Sequence, residues 1–229
     1  VRTLYGGTLR LSASQLDKAR TCHFAYFMRY GLRAKERTGA GFDAPQIGTF
    51  VHDVMEHTLK SARECGGLHA LSREQMHRLT RASIEDYTAR VLPDLTEKPA
   101  RFRYLFERLC AAVEHIMDEV ADELACSDFE PLAFELQFGD GGALPAITVR
   151  TQGGAAQLRG KVDRVDGWLR DGMLYLRVID YKTGKKAFDL AELRYGLGLQ
   201  MLLYLFALEQ EGRALFGGRE IVPAGVLYT

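Results

Sequence analysis

Two aspartates and a lysine lie at the ends of two neighbouring apolar segments in the middle of the chain. Asp163 occurs in Gly-Lys-Val-Asp-Arg, and Asp180 and Lys182 occur in Ile-Asp-Tyr-Lys. Carboxylates are rarely buried in a strand unless a counter-charge or a cation accompanies them. Oxygen ligands suit Mg²⁺ or Mn²⁺. These residue types therefore predict a divalent-cation site with an ammonium group close to it in the sequence.

A β-hairpin is the element that would bring the two aspartates together. Asp171-Gly172 is a strong signal for a two-residue turn, and that turn sets Asp163 opposite Asp180. Residues directly opposite point to the same face of a sheet, about 4.5–5.5 Å apart at Cβ. A longer turn would shift this register. The alternative interpretation is that Asp163 pairs with a neighbouring arginine, Arg164 or Arg177.

A helix predicted over about 46–64 carries a histidine toward its apolar face. His52 borders the stripe that contains Met55, and Glu56 lies one turn beyond His52 on the same side. A histidine in this position is either a structural residue at the edge of a core or an imidazole ligand for the cation site.

A second helix, predicted over about 189–211, follows the hairpin. Its second half is apolar nearly all round, which indicates burial. Gln200 and Tyr204 lie one turn apart on one side of it, and buried polar side chains need hydrogen-bond partners. Those partners are either backbone groups or the polar residues of the hairpin.

The bulk composition is that of an ordinary globular protein. The 229 residues are 47% hydrophobic and 26% charged, with a formal net charge of zero, so a nucleic-acid partner must be held by local patches or by other proteins. We find no apolar run of about 18–20 residues, as a membrane span requires. Four scattered cysteines indicate a reducing compartment, the bacterial cytoplasm. Both ends look cut, because Val226-Leu227-Tyr228-Thr229 reads as the middle of a strand.

The remaining pattern predicts an α/β fold with a mostly antiparallel sheet and one crossover. We predict one domain over residues 1–229 with a helical insertion over about 65–127. Further helices are predicted over about 15–30, 73–91 and 100–125, strands over 132–138, 145–151 and 224–228 (the second as the partner of the first), and loops over 38–46 and 183–186. Cys22, in the helix over 15–30, is either a buried thiol among aromatic residues or a metal ligand.

The order of these motifs resembles the RecB-type nuclease branch of the PD-(D/E)xK superfamily, from Leu11 to Tyr228. The order runs from Gly48-x-x-x-His52-x-x-x-Glu56 through Glu135, Gly160-Lys161-Val162-Asp163-Arg164-Val165-Asp166 and Ile179-Asp180-Tyr181-Lys182 to Gln200-x-x-x-Tyr204. Within that branch, Leu11–Leu16, Cys22–Phe27, Asp43–Gly48 and Tyr195–Gln200 are similar to the C-terminal nuclease domain of the AddB family.

The resemblance implies a restriction-endonuclease-like core and an Mg²⁺- or Mn²⁺-dependent deoxyribonuclease. His52, Asp163, Asp180 and the Tyr181 carbonyl would hold the metal, with Glu56 and Glu135 supporting those ligands. Glu135 is also a candidate to reach a second metal ion. Lys182 would position water or stabilise developing charge, and Gln200 and Tyr204 would orient Lys182 or the DNA backbone.

The family also implies a 4Fe-4S cluster, a partner and a role. Cys22 matches the first cluster cysteine, whereas Cys65, Cys110 and Cys126 do not match the other three, which are expected beyond Thr229. The implied role is an exonuclease that cuts single strands, unwound by a helicase subunit of the AddA type, during double-strand break repair and recombination. The alternatives are a RecB-type nuclease of the CRISPR-adaptation kind and a non-catalytic module for DNA binding or docking.

Overall fold

The computed structural model describes residues 8–34, 44–151, 154–182 and 189–229, and these residues form two compact units. The first unit contains residues 8–34, 132–151, 154–181 and 189–229, and the second contains residues 44–131 and 182. We find no helix in the described ranges that is both long and apolar enough to cross a membrane. The single domain with a helical insertion over about 65–127 stays a prediction.

A mixed sheet forms the framework of the first unit. Across the described ranges it has six strands, β1 (Leu9–Ser12), β2 (Glu130–Phe138), β3 (Ile147–Thr151), β4 (Gly154–Arg170), β5 (Met173–Asp180) and β6 (Ile221–Tyr228). The 17-residue β4 pairs with β1, β2, β3 and β5, and β5 also pairs with β6. The β1–β4 and β5–β6 pairs are parallel, whereas β3 and β5 run antiparallel to β4. The predicted α/β fold class is confirmed.

One predicted strand pair is wrong. The segment predicted over 145–151 was expected to pair with the strand over 132–138, but as β3 it pairs with β4, with Ile147 opposite Leu158 and Thr151 opposite Gly154. β4 is long enough to offer its first half to β3 and its second half to β5. A partner that follows directly in the chain needs only a short connection, which favours this pairing.

The helices in the described ranges account for most of the remaining residues. They are α1 (Ala13–Thr21), α2 (His23–Tyr26), α3 (Ala44–Glu64), α4 (Arg73–Val91), α5 (Ala100–Ala125), α6 (Leu190–Arg194) and α7 (Gln200–Glu211), with a π-helical turn over Phe27–Gly31. The loops predicted over 38–46 and 183–186 lie outside the described residues, except that residues 44–46 begin α3.

Two predicted helices are each interrupted. The helix predicted over 15–30 breaks at Cys22, whose extended backbone (φ −160°, ψ 111°) ends α1 and caps α2. The helix predicted over 189–211 breaks between α6 and α7, where Gly196 and Gly198 adopt φ of 76° and 65°. Those angles lie in the left-handed region, which glycine reaches without steric cost and a helix cannot contain.

The sheet and α7 share the core of the first unit. Leu174, Leu176 and Val178 alternate along β5 and are buried in one cluster with Met201, Leu205 and Leu208 of α7. This is the apolar face predicted for the second strand of the hairpin. The prediction of burial all round α7 is wrong at Phe206, which is exposed.

The second unit is built on α3, α4 and α5. Phe50 of α3 is fully buried and its ring contacts those of Tyr87 and Phe106. Ser72 and Gln75 form the predicted capping box, in which each side chain bonds the other's backbone N–H. This unit presents His52 on the third turn of α3.

Candidate active site

The turn between β4 and β5 sets the register of the two aspartates. Asp171 and Gly172 adopt φ of 52° and 80°, the left-handed conformations of a tight two-residue hairpin. Arg170 lies opposite Met173 and Arg164 opposite Ile179. Continued by one residue, this register sets Asp163 opposite Asp180, as the sequence predicts.

The two aspartates are buried at the end of the apolar face. Asp163 is 7% exposed and Asp180 is 3% exposed. The carboxylate of Asp163 accepts a hydrogen bond from the backbone N–H of Tyr181 at 2.9 Å. Two like charges on opposite residues repel one another, and a cation between them would remove that repulsion. The arrangement therefore has the chemistry of a site for a divalent cation.

The arginines of the alternative interpretation have another partner. Arg164 and Arg177 both contact the carboxylate of Asp166, at 2.8–3.0 Å. Asp166 lies an odd number of residues from Asp163 along β4, so these contacts lie on the reverse face of the sheet. They give Arg164 and Arg177 a charged partner that is not Asp163.

Glu135 reaches the same region from β2 through an unusual backbone conformation. Its φ is 49°, which is uncommon for a residue other than glycine and recurs at functional sites, where surrounding structure holds the strain. One of its carboxylate oxygens lies within 4.8 Å of one of Asp163. Glu135 also forms an ion pair with Lys161, two residues before Asp163 on the same face of β4.

Gln200 and Tyr204 contact Asp180 as a pair. The Gln200 side-chain amide donates to the Tyr204 hydroxyl at 3.0 Å and to an Asp180 carboxylate oxygen at 3.4 Å. The sequence alternative, in which backbone groups satisfy these side chains, does not account for these contacts. Burial raises the pKa of Tyr204 to about 12, so its phenol stays protonated at neutral pH.

A glycine makes room for this pair. A Cβ atom on Gly160 would lie 2.7 Å from Cε1 of Tyr204 and 2.8 Å from Cζ of Phe138. The Tyr204 and Phe138 rings meet edge to face, with centroids 5.1 Å apart. Gly160 therefore allows both rings to lie against the backbone of β4, three residues before Asp163.

Three predicted residues belong to the second unit. His52 and Glu56 are half-buried on α3, and Glu56 forms an ion pair with Lys60 at 2.5 Å. Lys182 is half-buried and follows Asp180 by two residues in the sequence. Their roles stay predictions.

Cys22 lies in the first unit with an exposed side chain. The interpretation of Cys22 as a buried thiol is therefore wrong. Its Sγ accepts a hydrogen bond from the backbone N–H of Ala25 at 3.5 Å. An exposed thiol at a helix start fits the role of one ligand to an iron–sulfur cluster, which takes four.

Sequence reasoning missed Lys161 and Gly160. Lys161 has the two-residue spacing from Asp163 that places both side chains on one face of a strand, so the spacing was available as a signal. The role of Gly160 depends on two rings from distant segments, and no local pattern could indicate it.

The fold and the buried carboxylates together identify the class of protein. The chain belongs to the PD-(D/E)XK nuclease superfamily, because the model of that family matches residues 10–229. Its relatives include an ATP-dependent helicase/deoxyribonuclease subunit from Desulforudis audaxviator, 39% identical over 227 residues that cover 98% of this chain and 19% of the relative. The protein of the same name from Clostridium tetani is 35% identical over 233 residues, 100% of this chain and 20% of the relative.

These relatives are of the AddB type and confirm the resemblance to that family. A third protein of the same name, from Caldanaerobacter subterraneus, is 34% identical over 230 residues that cover all of this chain and 20% of the relative. The chain spans about a fifth of the length of the curated relatives it matches.

Proposed function

We propose that this chain is a metal-dependent DNA exonuclease domain that hydrolyses phosphodiester bonds of single strands. One observation carries the proposal: two buried carboxylates, Asp163 and Asp180, share the end of one apolar face, and Gln200 donates a hydrogen bond to one of them. Membership in a nuclease superfamily supports the reaction class.

Asp163 and Asp180 are the proposed ligands for Mg²⁺ or Mn²⁺, with the Tyr181 carbonyl as a further oxygen ligand. His52 is proposed as an imidazole ligand, on the strength of its chemistry and its place in the order of the motifs. Glu56 and Glu135 are proposed to support these ligands, and Glu135 is a candidate for a second metal ion. A cation bound there supplies a Lewis acid that lowers the pKa of water and offsets charge on the scissile phosphate.

The other polar side chains act on the substrate or on one another. Lys182 orients the attacking water or stabilises the negative charge that develops on the phosphate. Gln200 fixes the Asp180 carboxylate through the bond at 3.4 Å, and Tyr204 holds the Gln200 amide at 3.0 Å. Since Tyr204 stays protonated, its hydroxyl is available to orient Lys182 or a DNA phosphate.

The wider role is proposed from the relatives. They carry the name of a helicase/deoxyribonuclease subunit, and we infer that this domain acts beside a helicase of the AddA type on strands unwound at double-strand breaks. A net charge of zero fits that division of labour, because the helicase would supply much of the grip on DNA. In that assembly we infer Cys22 to be one ligand of a 4Fe-4S cluster.

Digestion of labelled single-stranded DNA tests the proposal. The parent is compared with Lys182→Ala in Mg²⁺ and in a chelator, and Lys98→Ala serves as the matched control because Lys98 pairs with Asp94, away from the proposed ligands in the sequence. We expect cleavage by the parent and by Lys98→Ala only with metal, and a large loss for Lys182→Ala. A parent that binds DNA but never cuts it in Mg²⁺ or Mn²⁺ would instead favour the docking module.

A further inference from the structure

The reverse face of the β4–β5 hairpin carries buried charge. Arg164 and Asp166 are both 0% exposed, and they lie on the opposite side of β4 from Asp163. The Arg164 guanidinium contacts both carboxylate oxygens of Asp166, Nη2 to Oδ2 at 3.0 Å and Nε to Oδ1 at 2.8 Å. Arg177 of β5 donates to the same carboxylate at 3.0 Å.

A buried ion pair of this kind needs a reason other than stability. Removing an arginine and an aspartate from water costs about as much as their attraction returns, and an apolar pair of similar volume often serves equally well. Pairs of this kind are best understood as devices that fix one arrangement of the chain. The arrangement that this pair fixes is found at the far end of the Arg164 guanidinium.

The third contact of Arg164 is to Tyr181. Its Nη1 donates to the Tyr181 hydroxyl at 3.1 Å, and the guanidinium lies 5.7 Å from the centre of the tyrosine ring. Tyr181 is buried, and burial raises the pKa of its phenol to about 12, so the hydroxyl remains protonated at any pH at which a nuclease works.

Tyr181 connects the two faces of the hairpin. Its side chain is held by Arg164 on the reverse face, while its backbone N–H donates to Asp163 Oδ2 at 2.9 Å on the carboxylate face. It follows Asp180 directly and precedes Lys182 directly. A restraint on its ring is therefore a restraint on the backbone that joins Asp180 to Lys182.

We propose that Arg164 is a positioning residue that acts through Tyr181: the guanidinium, oriented by Asp166, holds the Tyr181 phenol and so fixes the backbone that orients Asp163 and links Asp180 to Lys182. The inference rests on the proposed nuclease function for its effect on catalysis. Its structural part, the coupling of the Tyr181 hydroxyl to the backbone N–H at position 181, is independent of that function.

Tyr181→Phe tests the proposal because it deletes one hydroxyl and leaves the Arg164–Asp166 contact in place. Tyr175→Phe is the matched control, since Tyr175 lies on β5 six residues earlier, where its ring meets Trp168. Two quantities are measured for each variant. The first is the amide hydrogen-exchange rate at each residue of β5 and at position 181, and the second is kcat and KM for single-stranded DNA in saturating Mg²⁺.

For Tyr181→Phe we expect exchange at position 181 to accelerate about tenfold, which is the change that one hydrogen bond of ordinary strength represents, with the amides of β5 unchanged. We also expect kcat to fall about tenfold at constant KM, and Tyr175→Phe to match the parent in both measurements. Exchange and kcat equal to those of the parent would overturn the proposal. So would a uniform acceleration across β5, since that would indicate a loss of general stability.

An inactive parent would refute the nuclease function and leave the exchange measurement to decide the coupling. If Tyr181→Phe does not fold, Arg164→Lys replaces it: lysine keeps the charge beside Asp166 but lacks the planar fork. Faster exchange confined to position 181 in that variant supports the proposal, and unchanged exchange overturns it.

Discussion

Substitution of Gly160 by alanine should displace the hydrogen bonds to Asp180 without unfolding the protein. The added Cβ would lie 2.7 Å from Cε1 and 3.0 Å from the hydroxyl of Tyr204, and 2.8 Å from Cζ of Phe138. Carbon atoms in contact prefer about 3.5–4.0 Å, so each ring must retreat by roughly 1 Å. Overpacking of this size costs about 1–3 kcal/mol of the free energy of unfolding.

The displacement acts on catalysis through Gln200. The Tyr204 hydroxyl holds the Gln200 amide at 3.0 Å, and the amide reaches Asp180 at 3.4 Å, so movement of the ring draws the amide away from Asp180. A misplacement of about 1 Å in a catalytic arrangement can cost on the order of 10²-fold in rate. We expect kcat of Gly160→Ala to fall by about 10- to 100-fold.

Initial rates on labelled single-stranded DNA and urea unfolding curves measure the two effects separately. Gly225→Ala in β6 is the matched control, because a Cβ there meets no atom within 4 Å. Gly160→Ala with the full rate of the parent would refute the assigned role of the pair. A rate loss equal to the unfolded fraction would refute it as well, since the loss would then be one of stability alone.

Three further predictions follow from the same contacts. Added Mg²⁺ should stabilise the parent, by about 2.7 kcal/mol at a hundredfold excess over Kd, and Asp163→Asn should lose most of that gain in thermal unfolding; an equal gain would show that Asp163 is not a ligand. Because burial raises the pKa of Tyr204 to about 12, stability should be intact below about pH 10, the ordinary tyrosine pKa, and fall as the pH rises toward 12. Ultraviolet titration checks this, and a phenol that ionises near its ordinary pKa in the folded protein would contradict it. Asp17→Ala removes the acceptor of the Gly198 N–H bond at 3.1 Å, just before Gln200, and should cost about 1 kcal/mol in urea unfolding and lower the cleavage rate; a rate equal to that of the parent would separate this turn from catalysis.

The hairpin was predictable from sequence because its signals are local. Asp171-Gly172 determines the turn, and a two-residue turn determines which residues face each other across β4 and β5. The capping box of α4 and the apolar face of β5 were predictable for the same reason, since each depends on spacing within one segment.

The parts that failed depend on distant segments or on single angles. The partner of β3 is set by competition among strands along the 17 residues of β4, which no window of sequence records. The left-handed φ of Glu135 lies inside a strand whose alternation gives no warning of it. Gly196 and Gly198 did carry a signal as helix breakers, but the apolar run after them concealed it.

Cleavage of single-stranded DNA by the parent and by Asp180→Ala, side by side in Mg²⁺, tests the central claim most directly. The claim is that Asp163 and Asp180 form the catalytic metal site. The account predicts that Asp180→Ala loses metal-dependent cleavage while its free energy of unfolding stays close to that of the parent, because the substitution removes one of two buried like charges. If Asp180→Ala digests DNA as fast as the parent, this hairpin is not the active site.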